Sequence, residues 1–184
     1  MKNTNSRVVK IFLDIVVLGG LLVGTGALAT TTATVSATVT LQNISVTVSD
    51  GTVAYGTLAV NTSNNTVPGT GGMNADAGDV QTATNAGNVA EDFNIKGQNS
   101  TDWTLASSAG VDQYVQKFCI ASCGTYASPT GGSFTALTTS YAALGAGNFA
   151  ASGTQTFNLL LTTPTSSTHF TAQSVDVTVQ AVAH

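Results

Sequence analysis

Hydrophobic and polar positions along this chain alternate with a period of two, which is the signature of half-buried β-strands. In TATVSATVTL (32–41), Ala33, Val35, Ala37, Val39 and Leu41 share one parity, and threonine or serine fills the other. Ile44, Val46 and Val48 take the opposite parity, so a bulge or a junction between two strands is expected at Gln42-Asn43. Asp50-Gly51 is a hairpin-turn dipeptide leading to Val53, Tyr55 and a third strand ending at Leu58 to Val60. ISVTVS thereby joins the protein's own core, and TATVSATVTL remains free to pair within the subunit or with a neighbour.

Residues 61–79 are rich in Gly, Asn and Asp and form a loop. Strands resume at VQTAT (80–84). After a turn at Asn85-Ala86-Gly87-Asn88, Val89, Glu91, Phe93 and Ile95 alternate up to Gly97. Trp103 and Leu105 follow a further turn, and VDQYVQKFCI (111–120) places Tyr114, Phe118 and Ile120 on one face. Phe134, Leu137, Tyr141 and Leu144 are spaced for one short helix. The chain closes with TQTFNLLLTT (154–163), ended by Pro164, and QSVDVTVQAVA (173–183). Eight or nine short strands with turn signals between them predict an all-β fold. An antiparallel β-sandwich, jelly-roll or Ig-like, is the first expectation and an up-and-down barrel the second.

The N-terminus follows a different pattern. MKNTNSRVVK carries Lys2, Arg7 and Lys10, an apolar stretch runs from Ile11 to Leu28 with Asp14 inside it, and Ala27-Leu28-Ala29 ends it. A basic start, an apolar core and small residues at the end describe a signal peptide over 1–29, cleaved between Ala29 and Thr30. A retained membrane anchor is the alternative, because the apolar stretch is long enough to span a bilayer. Residues 30–184 then form one secreted domain. It keeps Lys96 and Lys117 against eight carboxylates, a net charge of −6. Such a surface repels phosphate, so neither nucleic acid nor anionic lipid is an expected partner.

Candidate chemistry is sparse. Only 8% of residues are charged, while 42% are hydrophobic and 19 are glycine, the composition of an exported β-protein. Cys119 and Cys123 are expected to form a disulfide that pinches a short loop; metal or redox roles would require ligands or spacing that the sequence lacks. No catalytic group is expected. The histidines are His169, in a Thr/Ser-rich loop, and His184, the last residue, and neither adjoins a nucleophile motif. Glu91 and Asp92 are neighbours, so on a strand they face opposite sides and cannot act as a pair; Asp102, Asp112 and Asp176 are expected as solvated charges. Residues 74–79, NADAGD, offer calcium-type oxygens but lack the acidic residue that completes such a loop, and an Asx-rich turn is the plainer expectation. No cofactor is expected: Gly145-Ala146-Gly147-Asn148 has no βαβ unit around it to make a dinucleotide loop. Trp103 is read as a core anchor, with sugar stacking as the alternative. Glycosylation sequons occur at Asn43, Asn61, Asn64 and Asn99.

The order of these segments carries a resemblance. A signal peptide leads directly into a strand, then VSDGTVAYGTLAV, then QTATNAGNVAEDFNIKG, with a Val-rich terminal strand. Over residues 30–97 this resembles the TasA/camelysin-like secreted proteins, whose "G-x-L" phrase is matched by Gly56-Thr57-Leu58 and whose "N-x-G" phrase is matched by Asn85-Ala86-Gly87. The resemblance implies a jelly-roll or sandwich fold, assembly into extracellular fibres, and an N-terminal strand that completes the sheet of the adjacent subunit. The expected function is therefore a non-enzymatic structural protein, secreted or at the cell surface, that self-associates by strand pairing. An adhesin or carbohydrate-binding module using Trp103, Tyr55 or the loops is the alternative.

Overall fold

The computed structural model describes residues 32–71 and 78–184. The expected signal segment, the Ala29-Thr30 junction and residues 74–77 of the oxygen-rich loop lie outside the described residues. The chain divides into two units, Met1–Val39 and Thr40–His184. The described part of the first, residues 32–39, is exposed and forms no strand.

The second unit is nearly all β. Its strands are β1 (Val46–Val48), β2 (Ser63–Asn65), β3 (Gln81–Asn85), β4 (Glu91–Lys96), β5 (Thr104–Leu105), β6 (Gln113–Cys119), β7 (Gly124–Thr125), β8 (Ser128–Pro129), β9 (Thr135–Ala136), β10 (Ala142–Ala143), β11 (Thr154–Thr162) and β12 (Thr178–Ala183). One sheet runs β1-β3-β11-β6-β5, with β2 also on β11 and β9 also on β6; a second runs β10-β4-β12; β7 and β8 form a ribbon. All pairings are antiparallel except the short β5–β6 contact.

The period-two pattern sets which face is buried. In β3 and β4 every second residue is buried, and Phe93 and Ile95 of β4 point the same way as the sequence alternation requires. Ala83, Phe118, Phe157 and Leu159 from the large sheet meet Phe93 and Ile95 from the small one in a single core, together with Leu137 and Leu144. Phe149 stacks on Phe93 with ring centroids 4.6 Å apart. Each such side chain contributes about 1.5–3 kcal/mol by leaving water. A second cluster holds Val67, Phe134 and Leu160 around the Cys119–Cys123 disulfide, whose Cα atoms are 5.8 Å apart.

Several expectations are corrected. No α-helix forms over Phe134 to Leu144; the segment makes one 3-10 turn at Gly131–Ser133 and then β9 and β10. The reason is that it crosses between sheets. Leu137 N–H donates to Gln116 of the large sheet and Leu144 N–H to Phe93 of the small one, which a continuous helix could not do. Asp50 and Gly51 do make a left-handed turn (φ 62° and 71°), but the chain beyond them does not pair back onto β1. Residues 53–60 form no strand, and the last strand begins only at Thr178. Likewise 32–41 has strand chemistry, but among the described residues no strand pairs with it. Trp103 is half-buried at a cavity wall and is not in the core cluster. Ile120 does not share the buried face of Tyr114 and Phe118, being 40% exposed.

Candidate functional site

The segments that look like strands but lack partners border one open groove. Two adjoining cavities, about 340 and 670 Å³, share Val53, Tyr55, Trp103, Leu161 and Gln173 in their walls. Their floor is the β11 face carrying Phe157, Leu159 and Leu161. One rim is residues 53–60, the other residues 170–177. Among the described residues, no backbone N–H of either rim donates to another backbone carbonyl. Two irregular segments, the first bent at Gly56-Thr57, therefore flank an apolar floor with backbone N–H groups that take no part in a ladder, although the Tyr55, Ala59, Val60 and Thr171 carbonyls accept side-chain hydrogen bonds.

Polar groups inside the groove are also short of partners. Tyr55 Oη and Gln116 Oε1 are buried and miss ideal hydrogen-bond geometry, yet the Gln116 side chain is close enough to oppose part of the rise in the Tyr55 pKa. Burial, and then the Asp79 carboxylate, hold the Tyr55 phenol far above its usual range, so it stays neutral. Tyr114, on the same wall, is pushed up to about 12 by burial alone, and its hydroxyl donates to the Gln98 carbonyl. Asp79 is itself raised by burial and by Asp50, with Gln81 Nε2 donating to it at 3.0 Å in opposition.

A polar network closes one end. Trp103 Nε1–H donates to Ser167 Oγ (3.1 Å), and Ser167 Oγ–H to Asp112 Oδ1 (2.5 Å). Gln173 takes a hydrogen bond from Ser100 Oγ (2.8 Å) and gives one to Asp102 Oδ2 (2.8 Å). His169 Nδ1 stands 3.7 Å from Asp102 and meets Ser167 through its backbone, so this serine gives its proton to a carboxylate.

The root of the N-terminal arm is held elsewhere. Asn88 behaves as a strand in miniature: its Nδ2–H donates to Leu41 O (2.8 Å) and its Oδ1 accepts from Asn43 N–H (2.8 Å). Asn88 N–H donates to Asn43 O (3.1 Å) and Ala86 N–H to Ser45 O (2.8 Å). Ser45 N–H in turn donates to Glu91 Oε1 at 2.8 Å. Glu91 is fully buried, with Oε2 unpartnered. Beyond this root Val35, Val39 and Leu41 are 93%, 87% and 83% exposed.

The other candidates fall into place around these features. Glu91 and Asp92 face opposite sides, as alternation requires; Asp92 accepts from Asn148 N–H (2.7 Å) and contacts His184 Nδ1 (2.7 Å), and both lower its pKa, the backbone bond more. Asp102 and Asp112 belong to the network at the groove's end, and Asp176 lies on its rim. Of the 74–79 loop only Gly78 and Asp79 are described; among the described residues no three His, Cys, Asp or Glu are placed to hold a metal. Asn64 donates to Tyr55 O and Asn99 accepts from Leu105 N–H, whereas Asn43 and Asn61 are exposed. Sequence reading missed Gln116, Gln81 and Asn88. The one available signal was the density of Asn in the 85–88 turn.

No protein-family model, curated protein or solved structure matches this chain.

Proposed function

We propose that the chain is a non-enzymatic structural subunit, a secreted or cell-surface β-sandwich that builds an extracellular filament or matrix by β-strand addition. In this reading residues 30–41 of one copy enter the groove of another. The carrying observation is the unpaired pair of rims over an apolar floor. The arm offers what the rims lack: carbonyls for their unpaired N–H groups, and one apolar face made by Ala33, Val35, Ala37, Val39 and Leu41. The two sheets sharing one core support the sandwich, the disulfide suits an oxidising compartment, and the resemblance to TasA/camelysin-like proteins points the same way.

A carbohydrate-binding module is the second reading, favoured by Tyr55 and Trp103 lining the same groove. Sedimentation separates the two. The chain beginning at Thr30 should form polymers, and the chain beginning at Gln42 should stay monomeric and bind a synthetic 30–41 peptide. Trp103, the only tryptophan, reports that binding by fluorescence. A stable monomer from Thr30 that retains glycans and ignores the peptide would sink the filament reading.

A further inference from the structure

We infer that the arm of a neighbouring copy binds as a fourth strand of the small sheet, in an antiparallel ladder along the free edge of β12. This rests on the strand-addition reading above and names the acceptor edge within it.

The hydrogen bonds of β12 fix which of its residues are available. Thr178 faces Lys96 and Ala183 faces Glu91 on β4, and one residue further on His184 N–H donates to Ala90 O (3.0 Å). Hydrogen-bonded pairs alternate with non-bonded ones along an antiparallel ladder, so Thr178, Gln180 and Val182 turn their backbone groups to β4. β4 agrees, because its Glu91 and Phe93 bond to Phe149 and Leu144 on the opposite side. Val179, Ala181 and Ala183 therefore direct both N–H and C=O away from the sheet, and among the described residues no other strand pairs with them. The other sheet ends are short: β1, β5 and β10 have three, two and two residues. β12 has six, and from Val177 to Ala183 it holds no proline and no charged residue, the usual devices that blunt an edge. β1 comes near β12 and forms no ladder with it.

The edge also leads into the groove. Val177 and Val179 line its wall and, with Ala181, pack against the shared core, whereas Gln180 and Val182 are exposed. Residues directly opposite on paired strands carry their side chains to the same face. An added strand must therefore set apolar residues opposite Val177, Val179 and Ala181. The arm can do so with Ala33, Val35, Ala37, Val39 and Leu41, while its intervening hydroxyls join the exposed outer face. Arm and edge are both uncharged, so their approach carries no like-charge penalty although each copy is net negative. Ala33 to Leu41 spans about 27 Å and Val177 to Ala183 about 20 Å, so the arm covers the whole edge. In such a ladder the apolar arm residues are also those whose N–H and C=O meet β12.

Ala181→Pro in the chain beginning at Gln42 tests the acceptor side. It removes an N–H that points away from β4, at a place where an edge strand accepts proline. Thermal unfolding should stay close to that of the parent, and affinity for a labelled 30–41 peptide, read by fluorescence anisotropy, should fall about tenfold or more. On the donor side, a peptide N-methylated at Val35 and Val39 should lose affinity to the same extent, and one N-methylated at Thr34 and Thr38 should keep it. The peptides decide the matter even where the proline variant does not fold. β12 is excluded as the acceptor if folded Ala181→Pro binds the unmodified peptide as tightly as the parent does, or if methylation at the threonines is as damaging as at the valines; strand addition survives either result. If the parent binds no unmodified peptide, strand addition fails and the edge assignment fails with it.

Discussion

Tyr114 shows how a buried hydroxyl couples stability to pH. Its phenol titrates near 12 because burial disfavours the anion, against an ordinary value of 10.0. A raised folded-state pKa means the contribution is whole below pH 10 and is lost as pH rises through 12. Denaturant midpoints should therefore fall across that interval. Tyr114→Phe should flatten this part of the profile, at a cost of about 1 kcal/mol at neutral pH for the lost bond to Gln98 O. The opposite sign holds for Asp92, whose pKa is lowered by the Asn148 N–H and then by His184. Its contribution is present above the ordinary carboxylate value and is lost as pH falls through the lowered one. Asp92→Asn should weaken the acid dependence in the same measurement.

Strands differ in what their residues are bound to do. Phe157 is 3% exposed in the shared core, so Phe157→Ala should cost about 3–5 kcal/mol of stability. Val35 and Val39 touch almost nothing, and Val35→Asp with Val39→Asp should change subunit stability by less than about 0.5 kcal/mol while abolishing polymer formation. Thermal unfolding of the subunit and sedimentation of the polymer read the two effects separately. The same contrast explains what was legible in advance. β3, β4 and β11 were readable because alternation and a buried neighbour agree there. Residues 32–41, 53–60 and 173–177 read as strands too, and their chemistry is that of strands; periodicity reports a face to bury and is silent about whether a partner belongs to the same chain. The helix expected near Leu137 failed because spacing cannot tell one helix face from a crossing between two sheets. Gln116 and Asn88 were illegible for another reason: their roles lie in groups far along the chain, 45 or more residues away for Asn88 and at Tyr55 for Gln116.

On the scale of the whole molecule, the proposed assembly draws on parts separate from those that hold the subunit together. The Cys119–Cys123 ring is small, with a sequence separation of 4, and sits in the second cluster away from the groove walls. Reduction should lower stability by about 2 kcal/mol and leave the concentration needed for polymer formation unchanged; a guanidinium titration with and without reductant, followed by sedimentation, checks both halves. Each copy of residues 30–184 carries a net charge of −6, so copies repel one another at low salt, and the proposed assembly should strengthen as salt screens that repulsion.

In the strand-addition reading the arm and the groove are different surfaces of the subunit, so the contact between copies is heterologous, and such contacts need not close into a ring. A growing chain of subunits is then a polar object, with a free arm at one tip and an empty groove at the other. An armless subunit can receive an arm but has none to offer. Supplied in small amounts it is a chain terminator for one tip only, shortening polymers while growth at the opposite tip continues.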